Sequence, residues 1–314
     1  MIALTMGACA TIKPAMEVQV RPVLKSTRSV DQQNFHIETA LAEAQKLQRL
    51  SDYAASYDAY NVLLMHMRTT KTEHKVRADI FLGLADSALS LSWRGATYKV
   101  RAREIYNKIS EDADGLEEHK RRAKSGILLL NIARFKPGAT EKYLHFAIED
   151  SPNDPRLWNA LGKVRDGNAN WLEALDAYIH ALAIAKQTNA NTAAIVNNMG
   201  MSLLMQGRKK EALIKFKQAY KSNPEMPVYD NNVRLAQTLL GNTSSTLKGL
   251  SETRTAQIYN DAGVIAQAQG KLRKAKTLYK KAIEKSPVYF AIAEKNLAGL
   301  MSNKALNKPE HTPA

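Results

Sequence analysis

The sequence predicts an all-α solenoid of antiparallel helix pairs, irregular in its amino-terminal half. Three observations carry that expectation. A segment recurs: Asn197-Asn198-Met199, closing at Gly207, returns as Asn231-Asn232-Val233, closing at Gly241, each residue 34 positions after its partner. Between the copies Ala212, Phe216 and Ala219 fall at i, i+4 and i+7, on one face of a helix. Gly and Pro are sparse and sit at the ends of periodic runs, while apolar residues make up 45% of the chain, enough for a core.

A 34-residue repeat of helix, Gly-ended turn and second helix resembles the tetratricopeptide repeat (TPR). On that resemblance Gly200 marks the close approach of helix A to helix B, and Gly207 ends helix A. Pro224 stops helix B because it has no N–H to donate and restricts the residue before it. Units of this kind contact only their neighbours, so length does not bound their number.

The pattern divides the chain. Residues 31–152 hold degenerate TPR-like helical pairs. The stretch 36–50 has Ile37, Ala40, Leu41, Ala44 and Leu47 at spacings of three and four. The stretch 53–67 carries a stripe of Tyr53, Tyr57, Tyr60 and Leu64, which reads as core because it falls at packing spacing. A second pair, 73–110, matches Gly83 with Ala102, Tyr106 and Ile109 but is about seven residues too long around 91–98, where Trp93 is expected to cover the end of a core. In a third pair, 117–151, Leu128 stands where Gly is expected.

Residues 153–301 read as the TPR domain with a capping helix. Trp158, Leu161, Gly162, Ala174, Tyr178 and Ala181 match in order, with four residues inserted near 187–191. The unit beginning at Pro227 keeps helix A and replaces helix B by the polar stretch 242–255. The last unit resumes with Tyr259, Gly263, Gly270, Ala275, Tyr279, Ala282 and Pro287, and 290–301 reads as the cap. Residues 302–314 are expected to be disordered.

The net charge is +15 and the pI about 9.7. A basic surface can meet nucleic acid, acidic lipid or acidic protein. The lysines lie on outer helices with no alternating aromatic residues, so the charge reads as a solvated face and nucleic acid is not expected as a partner. The single cysteine, Cys9, allows no internal disulfide and no multi-Cys metal site. The seven histidines are scattered, and no His-Glu-x-x-His, Walker loop, Gly-x-Gly-x-x-Gly or Gly-x-Ser-x-Gly occurs. The expectation is a binding protein with no enzymatic activity and no cofactor.

In a TPR, helix A lines the concave side. Its fifth positions here are Asn159, Asn197, Asn231 and Asn260. An amide both donates and accepts, so a row of them could clamp a peptide backbone without demanding a side chain. Lys163, Met201 and Leu235 are expected beside them in that peptide-binding groove, as are Arg156 and Gln257.

Residues 1–9, MIALTMGAC, resemble the end of a bacterial lipoprotein signal, with small Gly7 and Ala8 before a lipidated Cys9. Residues 10–30, with Pro14 and Pro22, read as a tether. Taken with the irregular amino-terminal half, the broken unit after Gly241 and the closing YNDAGVIAQAQGKLRKAKTLYKKAIEKSP, the chain is similar to the TadD family, the TPR lipoproteins of tight-adherence (Tad, or Flp) pilus machines. The resemblance implies a periplasmic, outer-membrane-anchored, pilotin-like adaptor whose partners are the secretin or other pilus-assembly components. A cytosolic TPR scaffold or regulator, RNA-associated through its basic surface, is the alternative.

Overall fold

The computed structural model describes residues 36–67, 72–132 and 137–302. The expectations for Cys9, the tether and the tail after Ser302 fall outside them. Among the described residues there are fifteen α-helices and no strand: α1 Ile37–Arg49, α2 Tyr53–Met67, α3 His74–Ser90, α4 Ala96–Ser110, α5 Glu117–Asn131, α6 Pro137–Asp150, α7 Pro155–Gly167, α8 Trp171–Gln187, α9 Ala193–Met205, α10 Lys209–Ser222, α11 Pro227–Leu240, α12 Thr243–Leu247, α13 Glu252–Ala268, α14 Leu272–Lys285 and α15 Ala291–Met301. They fall into two compact units. One takes the chain to Leu157 with Gly167–Asn170, and the other takes Trp158–Asp166 and everything from Trp171.

The second unit follows a simple packing rule. Helix A carries Gly162, Gly200 or Gly263, and the ring 16 residues later lies on it. A Cβ at those glycines would sit 2.5 Å from Tyr178, 2.7 Å from Phe216 and 2.5 Å from Tyr279, closer than packed atoms approach. All three rings are fully buried. Each ring also matches the helix A residue twelve positions before it. The Tyr178 hydroxyl donates to Asp166 Oδ2 at 2.7 Å and that of Tyr279 to Gln267 Oε1 at 2.7 Å. Phe216 has no hydroxyl, and its counterpart is apolar Leu204, fully buried. A buried hydroxyl needs an acceptor, so ring and partner change together.

Gly207 and Gly241 end α9 and α11 in the left-handed conformation, at φ 84° and 102°. The chain turns back so that Arg208 N–H bonds Leu203 O at 2.9 Å and Asn242 N–H bonds Gln237 O at 3.0 Å, satisfying carbonyls the helix leaves open. The residues inserted after α8 lengthen that helix to 17, against 14 in α10 and α14, before a turn through Asn189 at φ 51°.

After α11 the second helix of the pair is missing, and only the five-residue α12 stands in its place. Helix α13 therefore packs directly on α11, and Gln269 Nε2 reaches past it to Leu204 O at the end of α9, at 2.6 Å. Lys209 and Lys274, at the starts of α10 and α14, both donate to Leu239 O, at 3.0 and 3.2 Å. Two ammonium groups thus sit on the negative end of α11.

The first unit begins on the same rule. Ala44 lies 16 residues before the buried ring of Tyr60, and Gln48, twelve before it, lies 3.5 Å from its hydroxyl. The rule then reverses. Gly83 and Gly126 meet the rings of Tyr60 and Tyr106, which belong to the preceding helices. This corrects the sequence expectation at Leu128. The close approach on α5 belongs to Gly126, and Leu128 is half-buried. The surplus of residues between Gly83 and Tyr106 goes into a 17-residue α3 and the turn before α4. Trp93, in that turn, is 50% exposed with Arg94 over its ring and does not close the core.

The Tyr106 hydroxyl donates to the buried carboxylate of Asp86 on α3, at 2.5 Å. Arg122 adds two bonds to Asp86, at 2.5 and 3.1 Å, and Arg156 adds another while also holding Asp154 at 2.7 Å. Burial alone would raise this carboxyl, but the two guanidiniums and the hydroxyl outweigh it and hold it at about 2.

Candidate functional site

The first residues of interest are the asparagines of successive helices A in the second unit. The Asn159 side-chain carbonyl accepts from Asn198 Nδ2 of α9 at 2.9 Å. That of Asn197 accepts from Asn232 Nδ2 of α11 at 2.8 Å, and that of Asn260 from Asn296 Nδ2 of α15 at 2.9 Å. The fifth repeat position of one helix A therefore accepts from the sixth position of the next. Ser202 extends the same ladder by donating to Asp166 at 2.7 Å, the carboxylate that also takes the Tyr178 hydroxyl.

One rung differs. The residue of α13 that matches Asn198 and Asn232 in the repeat is Asp261, and a carboxylate has no proton to give the Asn231 carbonyl. Arg254 supplies it instead, through Nε at 2.8 Å and Nη2 at 2.7 Å, and also binds Asp230 at 2.6 Å. Arg234 holds the same Asp230 at 2.9 Å.

These contacts revise the expected groove. Asn197 is 7% exposed and Asn260 is likewise buried, so their amides serve packing between helices rather than facing open solvent. Leu235 is 5% exposed and belongs to the core with Leu239 and Phe216, and Met201 is half-buried against that core. Arg156 is committed to Asp86 and Asp154. Asn159 and Asn231 remain half-buried, with only part of their hydrogen-bonding capacity used. A one-dimensional pattern gives the face on which a residue lies. It does not give the neighbour that meets that face, and the second Asn beside Asn197 and Asn231 was the available signal.

On the helix A face, Lys163 of α7 and Asp261 of α13 are charged and exposed. Both are solvent-accessible yet lie where the surrounding protein removes water. Desolvation pushes the Lys163 amine down, and it pushes the Asp261 carboxyl up to about 6 against the opposing Asn260 hydrogen bond. His180 stacks on Trp158 with ring centres 4.7 Å apart, a packing role. Among the described residues no group of three or more His, Cys, Asp or Glu could hold a metal, and no helix is long and apolar enough to cross a membrane. The arrangement offers surface for recognition.

Family models described as tetratricopeptide repeat match residues 154–225 and 255–286. No curated protein matches the chain. Among solved structures it is similar to a tetratricopeptide repeat protein from Parabacteroides merdae, with 13% identity, TM-score 0.40, and 85% of this chain and 99% of that one covered. It is also similar to a Rap protein complexed with competence and sporulation factor, with 15% identity, TM-score 0.49 and coverage of 86% and 79%. A chain of the APC/C hetero-tetramer Cut9–Hcn1 aligns at 11% identity and TM-score 0.52, over 88% of this chain and 57% of that one. At such identities the likeness is one of fold. The chain is an all-α tetratricopeptide-repeat solenoid built of paired antiparallel helices.

Proposed function

We propose that this protein is an assembly adaptor of a tight-adherence pilus, lipid-anchored through Cys9 at the periplasmic face of the outer membrane. It would hold the secretin, or another pilus-assembly component, during assembly or localisation. The observation that carries this reading is the interrupted repeat: α11 has lost its partner helix and a short polar connection leads to α13, in a chain whose only cysteine follows Met6-Gly7-Ala8. The partner segment lies along the helix A face, where Lys163 and Asp261 supply opposite charges and the free capacity of Asn159 and Asn231 supplies backbone hydrogen bonds. With its own upstream sequence the protein should take up a fatty-acid analogue and partition into membranes, and Cys9→Ser should abolish both. Capture of the secretin by the wild type, lost when Lys163 and Asp261 are both changed to Ala, supports the groove assignment. A cytosolic, unacylated protein carrying RNA would replace this reading with that of a regulator.

A further inference from the structure

We propose that the outer face of α10 and α14 docks on an anionic phospholipid bilayer, independently of any acyl group on Cys9. On α10 the residues Lys210, Ile214, Lys217 and Lys221 follow at i, i+4, i+7 and i+11, opposite the buried Ala212, Phe216 and Ala219. On α14 the exposed Lys280 stands opposite the buried Ala275, Tyr279 and Ala282, with exposed Glu284 one turn on and exposed Lys281 at the flank. The starts of both helices reach the end of α11, where Lys209 and Lys274 share the Leu239 carbonyl. Their ammoniums repel one another, and desolvation together with Lys274 and Lys271 pushes the Lys209 amine down.

Few carboxylates answer this charge. Glu211 is taken by Arg208 at 2.5 Å, and Glu284 lies beside Lys285 at 3.9 Å. Among the described residues Lys210, Lys217, Lys221 and Lys280 have no carboxylate partner, and Lys281 lies over the Tyr259 ring. Concentrated like charge without counter-charge favours an anionic partner.

The chemistry of the face selects a lipid surface. Its cations are mostly lysines, compact point charges suited to a diffuse field of headgroups, where a nucleic-acid phosphate favours the guanidinium fork. Ile214 projects among them at 65% exposure, and on α8, which shares α9 with α10, Leu172 is 77% exposed with Ile179 seven residues further along the same face. Aliphatic side chains gain nothing from a hydrated polyanion. They gain burial where lysines bring them down on a bilayer interface.

The test uses the full 314-residue chain carrying Cys9→Ser, so no acyl chain contributes. Sedimentation with phosphatidylglycerol-containing vesicles should capture it, vesicles of phosphatidylcholine alone should not, and high salt should release it. Each lysine near an anionic leaflet contributes about fivefold to partitioning, so Lys210→Glu with Lys217→Glu and Lys280→Glu should lower it roughly a hundredfold or more. Ile214→Asn should lower it roughly tenfold. These positions are on the surface, so melting should stay unchanged. Equal binding to neutral vesicles, or undiminished binding by the folded triple variant, overturns the proposal. So does binding to polyglutamate or duplex DNA by a chain that ignores the anionic vesicles. Because the chain lacks Cys9, failure here leaves lipid anchoring to be judged by its own labelling experiment.

Discussion

Replacing Asn197 by Ala separates a packing amide from a ligand-binding one. The Asn197 carbonyl accepts the Nδ2 proton of Asn232, and both side chains are buried. After truncation Asn232 keeps a buried donor with no acceptor, at a cost of about 1–3 kcal/mol. Each kcal/mol lowers the melting temperature by about 2–4 °C in a domain of this size, so the variant should melt roughly 2–12 °C below wild type. Changing Asn232 to Ala as well removes the stranded donor. The double variant should therefore lose less stability than the two single changes together, with a coupling of about 1 kcal/mol. Thermal melting by circular dichroism and urea unfolding of the full chain measure both quantities. An Asn197→Ala protein that melts with wild type would refute the packing role and return this amide to the open groove. Strictly additive single changes would show that the bond couples nothing.

Phe216→Tyr should cost about 1–3 kcal/mol by pressing a hydroxyl against buried Leu204, and adding Leu204→Gln should recover part of the loss, as in the Tyr279–Gln267 pair; urea titration of the three proteins decides. Asp86→Asn breaks a buried charge network and should cost about 3–5 kcal/mol at neutral pH, read by the same titration. Asp86 is held at about 2, below the ordinary value near 4, so its stabilisation of about 2 kcal/mol is fully present above pH ~4 and is lost as pH falls toward 2. Wild type should show that slope in acid unfolding and Asp86→Asn should not.

The second unit is readable from spacing because glycine and ring are close in sequence. Gly162, Gly200 and Gly263 each find their ring 16 residues later, within one pair of helices, so local periodicity and tertiary contact coincide. In the first unit Gly83 meets Tyr60 and Gly126 meets Tyr106, both earlier in the chain. A search running forward from each glycine passes over those pairs and settles on Leu128. The groove is harder to read for a related reason. Asn159, Asn197, Asn231 and Asn260 lie on the expected row, but burial depends on the adjacent helix A. Only the doubled Asn197-Asn198 and Asn231-Asn232 hint that the row pairs with itself. Asp86 carries no local signal, because its partners Tyr106, Arg122 and Arg156 lie 20, 36 and 70 residues away.

The loss of one helix after α11 governs more of this surface than any single residue does. A complete pair there would separate α10 from α14 by another outer helix, and Lys209 and Lys274 could not share the Leu239 carbonyl. The same omission leaves room for Arg254, from the start of α13, to reach Asn231 and Asp230. With Arg254 satisfying Asn231, the matching position on α13 need not donate, and Asp261 can stand there as a charge. An interruption of the repeat thus gathers lysines on the outer layer and frees a carboxylate on the inner one, in a stretch where regular stacking would permit neither. Restoring a helix B between α11 and α13 would remove both features at once. The polar stretch 242–255 thus sets both the shared lysine contact at Leu239 and the exposed position of Asp261.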